Sequence, residues 1–529
     1  MRFFGILGIV TLLGIAFLLS NNRKAIKLRI LLWGTGLQIL FASIILSESY
    51  LSWTGMTVFA ALITFYIFRE QLTSRKNRIE KVLFCLVLLA LLTTATAVFY
   101  FLDSLKITLI FFVMSLSSLV LLKLIKKVRY SDYLTIAAMA AGLGMAVKRG
   151  VYGRHIFAAL ADQVDKFLKL TDAGSFFLFG RLADPQYFDQ FGYQFAFSVL
   201  PTIIFFSAIM SILYYLGVMQ AVVNMMAKFM RWTLGTSGAE TLSVSANIFV
   251  GQTEAPLLIK PFLDDMTASE LHAVMVGGFA TIAGSVLAGY IRMGIDAGHL
   301  IAASVMSAPA ALVFAKMILP EVHHSKTAGD VEIPEVGRAD NLLDATARGV
   351  TDGLRLAVNV GAMLLAFIAL VALVDVIFGF FDRLIDGKIL GGALDEITGE
   401  YTGFFPGSLK TLFGSIFSPI AFLMGVPWKE AMDVGNLLGI KIAVNEFVGY
   451  AELSKYIQGN TISDRSITIA TYALCGFANF GSIGIQLGGI GALAPKRRSD
   501  LSRVALRAMF GGALASWMTA AIAGILLSR

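Results

Sequence analysis

The sequence predicts an all-α polytopic membrane fold, arranged as an inverted repeat around two re-entrant helical hairpins. Three observations carry this expectation. Apolar runs of about 20 residues, the length that crosses a hydrocarbon core as helix, recur along almost the whole chain. Of the 529 residues, 57% are hydrophobic and only 15% charged, with a mean hydropathy of +0.77. A soluble chain of this length needs far more charge to cover its surface. Finally, two polar stretches that break helix lie inside apolar sequence, at residues 247–256 and 444–450.

Composition narrows the function classes. A net charge of +8 in a soluble protein would suggest nucleic acid. Here Lys and Arg sit mainly in short loops between apolar runs, so they report orientation, and no nucleic-acid partner is expected. Cys85 and Cys475 both fall in apolar runs and imply neither a disulfide nor a metal framework. His323 and His324 occupy a polar loop without cysteines or spaced partners, and read as solvated.

Along the chain, the apolar segment 5–19 has only Arg2 before it and no small-x-small cleavage site after it, so it reads as a retained span. Arg23, Lys24, Lys27 and Arg29 place the next loop in the cytoplasm and the N-terminus outside. A second span covers about 30–46, completing an N-terminal region, 1–52. A block at 53–150 then carries four apolar segments, near 54–68, 82–102, 107–125 and 133–147, with two basic loops on the cytoplasmic side. Lys148, Arg149 and Arg154 then fall outside, against the positive-inside rule.

Region 151–232 begins with an interfacial amphipathic helix at 154–170, where Ile156, Leu160, Val164, Phe167 and Leu168 recur at helical spacing. A span at 195–219 and a short amphipathic helix bearing Lys228 and Arg231 complete it. Region 233–319 holds the first hairpin and spans near 271–291 and 299–319. The polar, Pro-containing stretch 320–350 reads as a cytoplasmic linker. Region 351–430 contributes a span near 354–380, with Asp375 toward its outer end, and outer-surface structure around 412–424. Region 431–529 holds the second hairpin and spans near 466–490 and 504–527, separated by Lys496, Arg497, Arg498 and Arg503. These four basic residues mark the cytoplasm and leave the C-terminus outside.

The first hairpin reads Asn247-Ile-Phe-Val-Gly-Gln-Thr-Glu-Ala-Pro256. Gly251 and Pro256 disrupt regular helix, and the apolar flanks are too short to cross twice. Irregular polar backbone at membrane depth is tolerated only against protein or a water-filled cavity. An ionisable group there, such as Glu254, marks a functional site by default. The alternative is a polar loop between two spans, and the second, similar element with Glu446 argues against it.

The two halves also match downstream of their hairpins. Gly278-Phe-Ala-Thr-Ile-Ala-Gly284 comes after the first and Gly476-Phe-Ala-Asn-Phe-Gly-Ser482 after the second. Gly-Phe-Ala alone means little, since small residues are common in packed membrane helices. The matching order, the paired carboxylates and the opposite polarity given by the basic loops together indicate a repeat. Paired re-entrant elements of opposite orientation, each beside a weakened helix, are how inverted-repeat transporters build a midplane site.

Glu254 and Glu446, with the amides of Gln252 and Asn479 and the hydroxyls of Thr253 and Ser482, supply donors and acceptors together. Such a site suits a neutral polyhydroxylated solute, such as a nucleoside or a sugar. It lacks the Arg or Lys expected for a phosphorylated or carboxylated one. Lys260 and Lys441 flank the hairpins and are expected to snorkel to the interface. Asn247, Thr253 and Thr281 offer neutral oxygens beside broken backbone, as a hard monovalent cation requires.

At these residues the chain resembles the concentrative nucleoside transporters. The resemblance rests on Ala246 to Leu257, Val274-Met-Val-Gly-Gly-Phe-Ala280, Ala443-Val-Asn-Glu-Phe-Val448, Leu474-Cys-Gly-Phe-Ala-Asn479 and Leu493-Ala-Pro-Lys-Arg-Arg498. It covers the first two spans and nearly everything from 154 onward, and leaves the block at 53–150 without an assigned task. It implies a homotrimer in the cell (inner) membrane, with a scaffold and an elevator-type transport domain. Gln252, Thr253 and Glu254 would face the nucleobase, Glu446, Asn479 and Ser482 the ribose, and Val286 and Phe477 would pack around a solute such as uridine. A coupling Na+ would be held by the side chains of Asn247 and Thr281 and the carbonyls of Val250 and Ile282. Thr281 stands where the family usually has serine.

The rival to sodium-driven symport is proton coupling through a titrating Glu254 or Glu446. A channel is a further alternative; it would conduct without accumulating solute. An intramembrane enzyme is less favoured than proton coupling: no His-Glu-x-x-His motif is present and no histidine lies near either carboxylate in sequence. The expectation is a transporter rather than an enzyme.

Overall fold

A computed structural model of the chain describes residues 2–75, 77–101, 128–184, 186, 194–327, 329, 339–396 and 399–527. The expected segment near 107–125 lies outside the described residues. The described residues are mainly helical, apart from an isolated bridge between Leu394 and Tyr401. Among them, eight helices are long and apolar enough to cross a membrane. The chain divides into two compact units, residues 39–160 and the remainder, 1–38 with 161–527.

In the unit 39–160, helices α3 (Tyr50–Ile67), α5 (Arg78–Phe101) and α6 (Val128–Lys148) share a core of Ala60, Ala61, Phe68, Leu88, Leu92, Ile136 and Ala140. The small side chains let backbones approach, as lipid-embedded helices require. A Cβ added at Gly144 would stand 3.0 Å from the carbonyl oxygen of Thr96. Trp53 closes one end: its indole N–H donates to the carbonyl of Val151 at 2.9 Å and its ring stacks on Tyr152.

The larger unit opens with α1 (Arg2–Leu18), which packs along the C-terminal helix, α22 (Arg498–Leu526). A side chain at Gly5 would run into Ile525 and one at Gly8 into the carbonyl of Leu423. The amphipathic stretch forms α7 (Gly153–Leu168), of which Ala161 onward belongs to this unit, and the span after it α9 (Phe195–Ser198) and α10 (Leu200–Tyr215). α10 lies against α16 (Leu342–Asp382), where Gly349 and Gly353 meet the backbone of Ala208 and Ile204. Ser211 donates across that seam to the carbonyl of Ala345 at 2.7 Å.

α16 is longer than the expected span 354–380, for reasons at both ends. Asn341 caps it by accepting from the Asp344 N–H. Beyond it, a π-helical turn runs over Arg383–Ile389. Along this end Asp375, Asp382 and Asp386 accept the backbone N–H groups of Leu409, Tyr401 and Phe405 at 2.7–2.9 Å. The acidic residues thus fasten the returning loop.

The first hairpin is α12 (Gly238–Ala246), an irregular tip, and a 3₁₀ segment over Ala255–Asp265 whose Pro256 and Pro261 exclude a regular α-helix. Glu240 both closes the capping box at Ser237 and forms a buried ion pair with Lys316 at 2.6 Å. Most of the stretch 412–424, expected as outer-surface structure, is helical, in α17 (Leu409–Leu423). It folds back on α18 (Trp428–Ala443) across a 116° bend. Gly414, Gly435 and Gly439 permit this close packing: side chains there would strike Met432, the Ser418 amide and the Phe413 ring. α19 (Glu446–Gly459) then starts after a two-residue break, capped by Asn445.

Each hairpin is followed by a helix in two pieces. The expected spans 271–291 and 466–490 are α13 (Ala268–Ala280) with α14 (Gly284–Arg292), and α20 (Asp464–Leu474) with α21 (Phe480–Leu493). The first break comes where Thr281 turns extended. The second holds Gly476 at φ 135°, a conformation side chains rarely adopt. α15 (Ala297–Ile318) and α22 complete the two halves.

Candidate functional site

The two breaks meet. Phe477 N–H donates to the Thr281 carbonyl at 3.3 Å, and a Cβ at Gly476 would stand 2.7 Å from the Phe279 carbonyl. Glycine and its positive φ are therefore required for the crossing itself. Interrupted helices leave backbone groups without intrahelical partners, so this crossing concentrates polar backbone at one depth.

Glu446, at the start of α19, is buried, and both of its oxygens are engaged. The Tyr290 hydroxyl donates to Oε1 and the Asn479 amide to Oε2, each at 3.1 Å. Asn479 cannot turn its amide over, because its Oδ1 caps α21 by accepting the Ser482 N–H at 2.8 Å. Beneath the carboxylate, Tyr290 packs with Phe447 and Tyr450 at ring-centre distances of 4.9 and 4.2 Å. Val286 is buried one turn before Tyr290 on the same face of α14, and Phe477 is half-buried at the break.

The first hairpin reaches the same place. Gln252 Nε2 lies 3.2 Å from Ser482 Oγ, and Gln486 Nε2 lies 3.0 Å from Gln252 Oε1. Gln252, Glu446, Asn479 and Ser482 thus lie together. Thr253 packs against α21, where a Cβ at Gly489 would meet its methyl at 2.7 Å. Glu254 is not drawn into this network. Its carboxylate folds back over Gly251 instead.

The tip is fixed from two sides. Gly284 N–H donates to the Phe249 carbonyl at 3.0 Å and Ser304 Oγ to the Ile248 carbonyl at 2.8 Å. Asn247, 1% exposed, has no hydrogen-bond partner on either side-chain atom. Its amide lies over Gly277, where a Cβ would stand 3.3 Å from Nδ2. Thr281 Oγ1 donates to the Gly277 carbonyl at 2.8 Å, leaving its lone pairs open. The carbonyls of Val250 and Ile282 accept no hydrogen bond among the described residues. A buried amide without partners costs about 1–3 kcal/mol per group, so an unpaired oxygen set beside broken backbone fits a bound cation.

Sequence reasoning missed two residues and misplaced one. Gln486 is fully buried between Gln252 and the Met275 carbonyl, and Tyr290 is fully buried against Glu446. Gln486 had a signal, a lone amide in an apolar run four residues after Ser482 and so on the same helix face. Lys441, expected at the interface, is instead fully buried. Its ammonium donates to the Ala473 carbonyl and to Ser516 Oγ, each at 2.8 Å. The carbonyl freed where α20 ends supplies the acceptor that makes this burial tolerable.

Comparison with known proteins agrees with this architecture. Family models described as Na+ dependent nucleoside transporter N-terminus, Nucleoside recognition, and Na+ dependent nucleoside transporter C-terminus match residues 7–65, 196–297 and 299–524. The sodium/nucleoside cotransporter 1 of Rattus norvegicus is 46% identical over 398 residues, 73% of this chain and 58% of that protein. The chain therefore spans little more than half the length of that relative. An uncharacterized transporter of Haemophilus influenzae is 45% identical over 379 residues, 71% of this chain and 86% of its own. Among solved structures, CNTnw in an inward-facing substrate-bound state matches with a TM-score of 0.71 at 33% identity, covering 99% of each chain. Two hairpins, two broken helices and matches of this extent carry one conclusion: the chain belongs to the Na+ dependent, or concentrative, nucleoside transporter family.

Proposed function

We propose that the chain is a secondary active symporter that imports nucleosides on a sodium gradient. It works as an elevator-type homotrimer in the cell (inner) membrane with both termini outside. Glu446, Asn479 and Ser482 take the ribose hydroxyls, while Gln252, Thr253 and Glu254 meet the base and Val286 and Phe477 flank it. Sodium sits on the side chains of Asn247 and Thr281 and the carbonyls of Val250 and Ile282. Thr281 adds a methyl to a serine-like ligand and leaves its oxygen in place.

The observation that carries this reading is the unpartnered Asn247 amide behind a hairpin tip whose next residues bear Gln252. Cation and solute groups share one short segment, so filling one site positions the other. A proton carried by Glu446 would leave the Asn247 oxygen without a role. Support also comes from the described function of the family, which is sodium-dependent nucleoside transport.

The test is labelled uridine uptake into liposomes holding the purified chain, under an imposed sodium or proton gradient. Accumulation driven by inward sodium is the expected result. Uptake under protons alone rejects the sodium assignment, and conductance without accumulation rejects symport.

A further inference from the structure

We propose that Gln486, through the Gln252 amide, makes the site prefer nucleosides whose base presents a carbonyl over those presenting an amino group. The inference rests on the proposed role of Gln252 at the base, and goes beyond it by naming the base chemistry and the residue that selects it.

Gln486 is fully buried in α21 and touches two acceptors, the Met275 carbonyl at 3.2 Å and Gln252 at 3.0 Å. A backbone carbonyl can only accept, so the atom of Gln486 facing Met275 must be its nitrogen. That nitrogen has two hydrogens. One goes to Met275, and the other requires an acceptor on Gln252, namely Oε1. The Gln252 nitrogen is thereby turned to the far side, where it lies 3.2 Å from Ser482 Oγ. Reversing Gln252 would set its N–H groups against those of Gln486, and reversing Gln486 would set its oxygen against the Met275 carbonyl. The Gln486 oxygen, buried and unpartnered, accepts from neither neighbour.

Close packing holds this orientation. A Cβ at Gly278 would stand 2.7 Å from the Gln486 nitrogen and 2.9 Å from Gln252 Cβ, so glycine is what lets the two amides lie over α13. The other end of the site is fixed just as firmly with the opposite sign. The Ser482 N–H holds Asn479 Oδ1, which turns the Asn479 nitrogen onto Glu446. The cluster therefore has a polarity: acceptor oxygens on Glu446 for hydroxyl groups, and N–H on Gln252 for the base. Uracil and hypoxanthine present a carbonyl where cytosine and adenine present an amino group. Only the carbonyl can accept from Gln252.

The experiment is uptake into liposomes holding the full chain, comparing uridine with cytidine and inosine with adenosine under a sodium gradient. One Gln252 hydrogen can stay on Ser482, but an amino group cannot accept the second, so the carbonyl partner of each pair gains one net hydrogen bond and is favoured by about three- to tenfold. Gln486→Met keeps the volume and removes the orienting donor. The preference within each pair then falls toward one, whereas a merely structural role would lower all four nucleosides together. Gln252→Glu provides a second test: Gln486 still donates to one oxygen, the other faces the base, and the amino partners become favoured.

A wild-type ratio near or below one within the pairs overturns the inference while the transport reading stands. So does a wild-type preference that survives Gln486→Met unchanged, or a Gln252→Glu variant that still favours carbonyls. Failure of the wild type to accumulate any nucleoside overturns the transport reading, and this inference with it.

Discussion

Replacing Glu446 by glutamine changes one oxygen to an amide nitrogen at nearly constant volume, and the structure dictates which one. Asn479 offers its nitrogen to Oε2 and cannot turn over, because its oxygen is held at 2.8 Å by the Ser482 N–H. The new amide must keep its oxygen there and direct its nitrogen at Tyr290, whose hydroxyl can rotate to accept. The fold survives the change. The charge is lost, and with it the strength of any bond accepted from a ribose hydroxyl. A hydrogen bond to a charged group contributes about 1.5–3 kcal/mol against about 0.5–1.5 for a neutral one, so two vicinal hydroxyls lose about 2–3 kcal/mol together. At about 1.4 kcal/mol per decade this is a loss of about 30- to 100-fold, enough to leave almost no uptake. The assay is uridine and 2′-deoxyuridine uptake by wild type and Glu446→Gln in liposomes. If Glu446 holds the ribose, removing the 2′-hydroxyl costs the variant less than it costs the wild type. Wild-type transport by the variant, or the same deoxy penalty in both proteins, refutes the assignment.

Three further perturbations test other parts of the assembly. Asn247→Ala should raise the sodium concentration for half-maximal uptake by about tenfold or more while the order of nucleoside preference stays unchanged, as one coordinating group is removed; a shifted base preference with an unchanged sodium response would place the ion elsewhere. Lys316→Met strands the Glu240 carboxylate, since that ion pair is 2.6 Å long with side chains only 5% and 2% exposed. Breaking a buried pair costs about 3–5 kcal/mol, so the melting temperature in detergent should fall clearly, and Glu240→Gln added to it should restore most of the loss. Gly476→Ala puts a methyl 2.7 Å from the Phe279 carbonyl at a φ of 135°. Strain of about 1–3 kcal/mol from the backbone alone predicts weaker uptake of every nucleoside, and an unimpaired variant would show that the crossing does not shape the site.

Much of this was legible in the sequence because a membrane makes polar residues conspicuous. Gln252, Glu446, Asn479 and Ser482 stood out as polar groups in apolar runs, and the structure draws those four together. Both broken helices were marked by glycine beside a hydroxyl or amide. Depth was not legible. Lys441 looks like any lysine near a helix end, and only the fold shows Ala473 and Ser516 waiting for its ammonium. Tyr290 gave no signal, since aromatic residues are ordinary in a packed core and its partner lies 156 positions away. Carbonyls are invisible to sequence, so Val250 and Ile282 came only from resemblance. The extent of α16 was underestimated because hydropathy counts apolar residues, whereas the helix is extended by a cap at Asn341 and by carboxylates fastening the loop beyond it.

The way the first hairpin is held bears on how cation and solute are coupled. Two of its tip carbonyls, Ile248 and Phe249, are tied to Ser304 and Gly284, while Asn247 before them and Val250 after them are not tied by side chain or carbonyl. A cation on Asn247, Val250, Thr281 and Ile282 would therefore add the missing fastening between the tip and the α13–α14 break. Gln252 follows Val250 by two residues and is the point at which the tip meets α21. Fixing Val250 removes backbone freedom that Gln252 would otherwise lose on binding solute, at about 1–2 kcal/mol per residue ordered. That is the size of an ordinary coupling free energy, and linkage makes it act equally in both directions. No charge needs to pass between the sites, and no proton needs to move. In that arrangement the physical link would be a few residues of irregular backbone, short enough that pinning one end positions the other.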